Sequence, residues 1–173
     1  MTRIAIQDAN ILIDLIKIGM FGHCLALDMQ FVTTDIILEE LYKEQKELVI
    51  AHVQSGKFLI VTTSGEELVA LLKLAAKNRK MSEQDFSALQ FAKNNSAILL
   101  SGDNEVRKEA IKMKIEIHGI LWILDQLFKS KVTTIKDSID KLTLLRKINK
   151  RLPQKACEDL KNKWQEQIYS ETG

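Results

Sequence analysis

The chain has 173 residues, 46% of them hydrophobic and 28% charged, with one proline, which is the make-up of a single globular domain and excludes a disordered or fibrous chain. Its 25 Lys and Arg against 23 Asp and Glu leave a net charge of +2, so any nucleic-acid binding has to be local rather than the work of a uniformly basic surface. Two distant cysteines, Cys24 and Cys157, suggest neither a disulfide framework nor a thiolate zinc site and point to a reducing, cytoplasmic setting; no apolar run reaches the roughly 20 residues that cross a bilayer, so no membrane is expected, and MTRIAIQDAN lacks the order of a signal peptide.

In chain order, residues 3–7 read as a strand, and the apolar spacing of residues 10–18 predicts a helix that stops at Gly19. A second strand is expected over 30–33, followed by a helix with Asp35 as its cap. Residues 58–61 form the third strand. Ser64 with Glu67 and Ser82 with Asp85 have the spacing of capping boxes, or a shorter Asp variant, and open the next two helices. Strands over 97–101 and 115–118 flank a helix over 104–113, and two further helices, 135–149 and 154–169, are broken at Pro153, the first capped by Thr134 with Asp137.

Strands separated by helices, with connections too long for hairpins, predict an α/β fold with a central, mostly parallel sheet and helices on both faces. Residues 1–128 make up that α/β body. Residues 129–173 are expected to form a helical hairpin packed on the same domain.

In such a sheet, ligands bind beyond the carboxyl ends of the strands. Asp8 follows the first strand directly, and Asp103 follows the fourth after one glycine; each also suits a helix cap. Projected at 100° per residue, Glu40 lies on the border of the buried arc of the helix opened by Asp35, between Ile36 and Ile37, while Glu39 points away. Asp85 lies inside the stripe formed by Ala88, Leu89 and Ala92, a place that the N3 partner of Ser82 also fills. Burying unpaired carboxylates costs several kcal/mol each. If Asp8, Glu40, Asp85 and Asp103 converge, a divalent cation is the simplest reason for them to stay ionised, and all-oxygen ligation suits Mg²⁺ or Mn²⁺ rather than zinc. A metal held in this way binds phosphates and hydrolyses phosphodiesters.

The segments IAIQDANILIDL with Asp8 and Asn10, TTDIILEEL with Glu40, MSEQDFSALQFAK with Asp85, AILLSGDNEVRKEA with Ser101 and Asp103, and the later IEIHGILWILDQL resemble the PIN-domain nuclease family in order and approximate spacing over residues 1–128. The resemblance implies a three-layer α/β/α sandwich and a Mg²⁺- or Mn²⁺-dependent ribonuclease. Asp8, Glu40, Asp85 and Asp103 would be its catalytic, metal-holding acids, with Asn10 and Ser101 in support. It is most similar to small prokaryotic members, many of them the toxin of a toxin–antitoxin pair, which implies RNA as substrate, a small antitoxin as partner and a homodimer. Two departures are Gln7, where an apolar residue is common, and a tail from residue 130 longer than in the smallest toxins. The alternative is a non-catalytic PIN-like scaffold that binds RNA or protein. A receiver-like domain would be expected to carry a lysine at the end of its last strand, where this chain has His118.

Other residues carry weaker signals. His23, His52 and His118 are too scattered for a metal triad, and Asp14 beside Lys17 reads as a solvated ion pair. Asn104 and Glu105 read as surface positions in the first turn of their helix. Arg79 and Lys80 are either a solvated loop or a contact to RNA phosphates. Trp122, Trp164 and Tyr169 are expected to pack rather than to stack on bases. GxGxxG and GKS/GKT sequences are absent. Charge is divided: residues 1–128 hold 14 basic and 17 acidic side chains, residues 129–173 hold 11 and 6. Lys141, Arg146, Lys147, Lys150 and Arg151 in the basic tail are therefore expected to guide RNA or meet an acidic partner, with a solvated helix face as the plain alternative.

Overall fold

The computed structural model of the chain describes residues 2–172, with side chains through Ser170. Its elements are β1 (Arg3–Gln7), α1 (Ala9–Lys17), α2 (Phe21–Cys24), β2 (Met29–Thr34), α3 (Asp35–Leu38), α4 (Lys43–Gln54), β3 (Phe58–Val61), α5 (Gly65–Lys77), α6 (Glu83–Asn95), β4 (Ile98–Leu100), α7 (Asn104–Lys112), β5 (Ile117–His118), α8 (Ile120–Lys129), α9 (Ile135–Ile148) and α10 (Gln154–Thr172). All five expected strands are present. The fourth and fifth are shorter than their apolar runs, and the second gains a residue at each end.

The strands pair in the order β3-β2-β1-β4-β5, every pair parallel. β1 is central, with Ile6 opposite Val32 of β2 on one side and Leu99 of β4 on the other. Its last three residues, Ala5, Ile6 and Gln7, are fully buried, as expected of a parallel strand covered on both faces. The chain runs outward through β2 and β3, returns across the sheet, and continues outward through β4 and β5. The direction therefore reverses between β1 and β4, and a crevice opens beyond their carboxyl ends.

Helices cover both faces and bury their apolar sides in one core, including Ile11, Leu12 and Leu15 of α1, Ala88, Leu89 and Ala92 of α6, and Ile123, Leu124 and Leu127 of α8. α1 ends as expected at Gly19, whose φ of +69° fits the left-handed position of a Schellman motif. There Met20 N–H donates to the Leu15 carbonyl at 2.8 Å and Gly19 N–H to that of Ile16 at 3.0 Å. The capping pairs Ser64 with Glu67, Ser82 with Asp85, and Thr134 with Asp137 all form.

Two local expectations need correction. The helix after β2 has only four residues, and its cap is Thr34, whose hydroxyl accepts from Ile37 N–H at 3.3 Å. Asp35 instead reaches across to the β3–α5 connection, accepting from Thr63 N–H at 3.0 Å and Thr63 Oγ1 at 2.6 Å. Glu40 consequently lies in the turn after α3 rather than on a helix face. Asp14 is half-buried rather than solvated; the Lys17 charge does favour its ionised form, but its hydrogen bond comes from Asn149 Nδ2 of the C-terminal extension at 2.7 Å.

That extension joins the body through a buried polar contact. Asp125 of α8 accepts from Lys129 and Lys163, each at 2.8 Å, and from Trp164 Nε1 at 3.1 Å. Trp164 is fully buried beside Phe128, as expected of a packing residue, whereas Tyr169 is 78% exposed and does not bury its ring.

Candidate metal and nuclease site

The crevice between β1 and β4 is where the acids gather. Asp8 continues the β1 ladder, with its N–H donating to Leu100 O at 3.1 Å, and its Oδ1 caps α1 by accepting from Ile11 N–H at 2.8 Å. It is only 7% exposed. Ser101, buried at the end of β4, bonds the Asp8 carboxylate through its hydroxyl, and the same oxygen accepts from Asp103 N–H at 3.1 Å. Asp103 caps α7, its Oδ1 accepting from Glu105 and Val106 N–H at 2.8 and 3.0 Å. Asp85, at the start of α6, accepts from Ser82 N–H through Oδ2 at 2.8 Å.

The structural and functional readings of these acids are therefore compatible. Capping uses Oδ1 of Asp103 and Oδ2 of Asp85, and among the described residues their second oxygens accept no hydrogen bond. Asp8, Glu40, Asp85 and Asp103 line one cleft of about 350 Å³ together with Asn10, Ser82, Ala9 and Ile13. Ser101 sits beneath Asp8 rather than on the wall. Among the described residues, none of the four acids takes part in an ion pair.

The electrostatics follow from that arrangement. Burial, with the negative charges of Asp85 and Glu40 adding to it, pushes Asp8 up to about 7 despite the hydrogen bonds from Ser101 and Ile11. Burial also raises Asp85, with Asp103 and Glu83 contributing, and Glu40, with Asp85 and Glu83 contributing. Among the described residues no three His, Cys, Asp or Glu side chains stand at the spacing of a formed metal site; the acids border the cleft. An all-oxygen set of carboxylates without an ion-paired cation, three of which (Asp8, Glu40 and Asp85) have raised proton affinities, nevertheless has the chemistry of a site for a hard divalent ion.

The basic candidates lie elsewhere. None of Arg79, Lys80, Arg146 and Lys147 lines the cleft. Arg79 and Lys147 are exposed, and Lys80 lies 3.9 Å from Glu105. The end of α9 meets α1 at Asp14, six residues and about 9 Å along the helix from Asp8. The basic residues just before that point, Arg146 and Lys147, therefore sit toward the far end of α1.

Three features were not read from the sequence. Ser82 lines the cleft as well as capping α6. Thr34 Oγ1 and Ser87 Oγ lie 2.9 Å apart in a buried contact that ties the segment leading to Glu40 to the helix carrying Asp85. Trp122 is only partly buried, and its ring stacks on His118 with centroids 4.2 Å apart and planes 7° from parallel. A hydroxyl at a strand end, such as Thr34, was the one available signal for the second.

A family model described as a PIN domain matches residues 4–166. The chain belongs to the PIN-domain family. The match continues past residue 128 through α9 and into α10, so it takes in most of the helical extension. PIN domains are generally nucleases that use divalent metal ions. No curated protein matches the chain. Among the described residues, no helix of this PIN domain is long and apolar enough to cross a membrane.

Proposed function

We propose that this PIN domain is a metal-dependent endoribonuclease that hydrolyses RNA phosphodiester bonds. The observation that carries this reading is the convergence of Asp8, Glu40, Asp85 and Asp103, without a paired cation, on the cleft at the reversal point of the sheet. These four residues would hold one or two Mg²⁺ or Mn²⁺ ions, which supply an activated water and neutralise charge on the transferring phosphate. Ser101 fixes the Asp8 carboxylate from below, and the Asp8 and Asp103 caps fix the two carboxylates at helix starts. Asn10 offers an exposed amide at the cleft. No side-chain nucleophile is needed.

A toxin role, with a small antitoxin as inhibitor and a homodimer as the working form, is the finer proposal. It rests on the resemblance to small prokaryotic members, and an adjacent reading frame for a small helical or DNA-binding protein would support it. The alternative reading is a PIN-like scaffold that binds RNA or protein without cutting. Incubating the purified protein with single-stranded RNA separates the two. Cleavage that requires Mn²⁺ or Mg²⁺ and stops with EDTA supports the enzyme, and no cleavage across varied RNAs with either ion supports the scaffold.

A further inference from the structure

The C-terminal extension lies along α1 with a definite direction. Lys141, midway along α9, reaches Gly19 just past the far end of α1, where a Cβ would lie 3.5 Å from its Nζ. Asn149, at the end of α9, donates from Nδ2 to the Asp14 carboxylate, inside α1, at 2.7 Å. Moving forward along α9 therefore means moving back along α1. The two helices run antiparallel, and the carboxyl end of α9 points toward the start of α1, which Asp8 caps.

Asp14 stands on the face of α1 that leads into the cleft. Asn10, which lines the cleft, is four residues before Asp14 and so shares its helix face, about 6 Å away along the axis. The chain after Asn149 thus arrives at the α1 rim of the acidic opening. It is held there in a fixed turn, because Asn149 uses both ends of its amide. Nδ2 bonds Asp14, and Oδ1 accepts from Arg151 N–H at 3.1 Å. Leu152 N–H closes the turn on the Asn149 carbonyl at 3.4 Å, directly before Pro153. Lys150 and Arg151 are exposed on this turn, and among the described residues neither side chain makes an ion pair or a hydrogen bond.

We propose that Lys150 and Arg151 form a phosphate-binding turn, positioned by the Asn149–Asp14 contact, that holds the RNA backbone at the α1 rim of the metal cleft. The proposal deepens the nuclease reading and rests on it for the identity of the ligand. Phosphates flanking the cleaved linkage pass over the rim, where two unpaired cations offset the repulsion that the four acids exert on a polyanion. The long stems of both side chains let their charges range over the rim, and the Arg151 fork matches two oxygens of one phosphate. Contacts of this kind set the position of the strand and carry no base information, so the turn serves any sequence.

The test measures binding apart from cleavage, by the fluorescence anisotropy of a labelled oligouridylate in EDTA over a range of salt, with cleavage followed separately in Mn²⁺. Lys150→Gln/Arg151→Gln should weaken binding roughly tenfold and lower the salt slope by about 1.4, for two phosphates at about 0.7 each. Lys136→Gln/Lys161→Gln removes the same charge from exposed positions of the extension, about 20 Å along α9 from Asn149 and about 10 Å along α10 from its start. It should leave affinity and slope almost unchanged. Asn149→Ala removes no charge, yet by releasing the turn it should lower both. Equal losses in the two double variants would show diffuse attraction and overturn the turn. Unchanged affinity in Lys150→Gln/Arg151→Gln, while the wild type still cleaves, overturns it too, leaves the nuclease standing and assigns the basic turn to an acidic protein instead. Loss of binding in that variant without metal-dependent cleavage by the wild type overturns the nuclease and keeps the turn.

Discussion

Asp125 of α8 accepts the indole N–H of Trp164 of α10 at 3.1 Å, across 39 residues of chain. Burial works to raise the Asp125 carboxyl, but the hydrogen bonds from Lys129, Lys163 and Trp164 outweigh it and hold it below the usual range. Its contribution to stability is therefore present above the ordinary carboxylate range and lost as pH falls through the lowered value.

This contact makes the extension a structural part of the domain. Trp164→Ala should cost about 3–5 kcal/mol by emptying a buried ring site, and Trp164→Phe about 1–2 kcal/mol by removing one donor. Urea unfolding at neutral pH measures both. A midpoint unmoved by Trp164→Ala would show that α10 does not brace the body.

Asp8→Asn and Asp103→Asn keep a capping oxygen and remove a charge. Each should lower RNA cleavage by roughly a hundredfold or more, the loss of several kcal/mol of metal-derived stabilisation. Neither should lower the thermal midpoint, since each removes repulsion among unpaired carboxylates. Wild-type rates in both variants would remove the assignment of the site.

Metal binding should depend on pH through Asp8. Folded, metal-free protein keeps the Asp8 proton up to about 7, whereas the unfolded chain releases it near 3.8. More protons are bound by the folded state in that interval, so stability of the metal-free protein should fall as pH rises from about 4 to about 7, and Asp8→Asn should flatten that slope. Because the ion must displace the proton, Mn²⁺ affinity should climb by up to about tenfold per pH unit below 7 and level off above it. Calorimetric titration at several pH values checks this, and a pH-independent affinity would contradict it.

Thr34→Val removes both the α3 cap and the contact to Ser87. It should cost about 1–2 kcal/mol and weaken Mn²⁺ binding by displacing the turn that carries Glu40. Comparing Mn²⁺ affinity with that of Thr63→Val, on the other side of the same segment, tests whether the effect runs through Ser87 and α6. Equal losses in both variants would point to general loosening.

The sheet was legible because each strand is an apolar run bounded by a helix start, and Ser64, Ser82 and Thr134 announce their helices within four residues. Asp8 and Asp103 were legible for the same local reason, standing where strands end. What failed to read was set by contacts between distant segments. Asp35 looked like a cap because its partner, Thr63, is 28 residues away, and Asp14 looked solvated because Asn149 is 135 residues away. Glu40 was placed in the right region by a helix that ends a turn too early to carry it; Leu41 is buried from a turn rather than from a helical stripe. Periodicity cannot tell these apart over so short a stretch.

The central place of β1 divides the cleft into walls of unequal stiffness. Asp8 and Asp103 follow strands hydrogen-bonded on both sides, so moving either means parting the middle of the sheet. Glu40 hangs from a four-residue helix and a turn at the edge of the same opening. Amide exchange should therefore be slowest at Ile6 and Leu99 and much faster around Glu40. The proposed site is therefore adjustable from one side: an ion held there would draw Glu40 toward a wall fixed by the centre of the sheet.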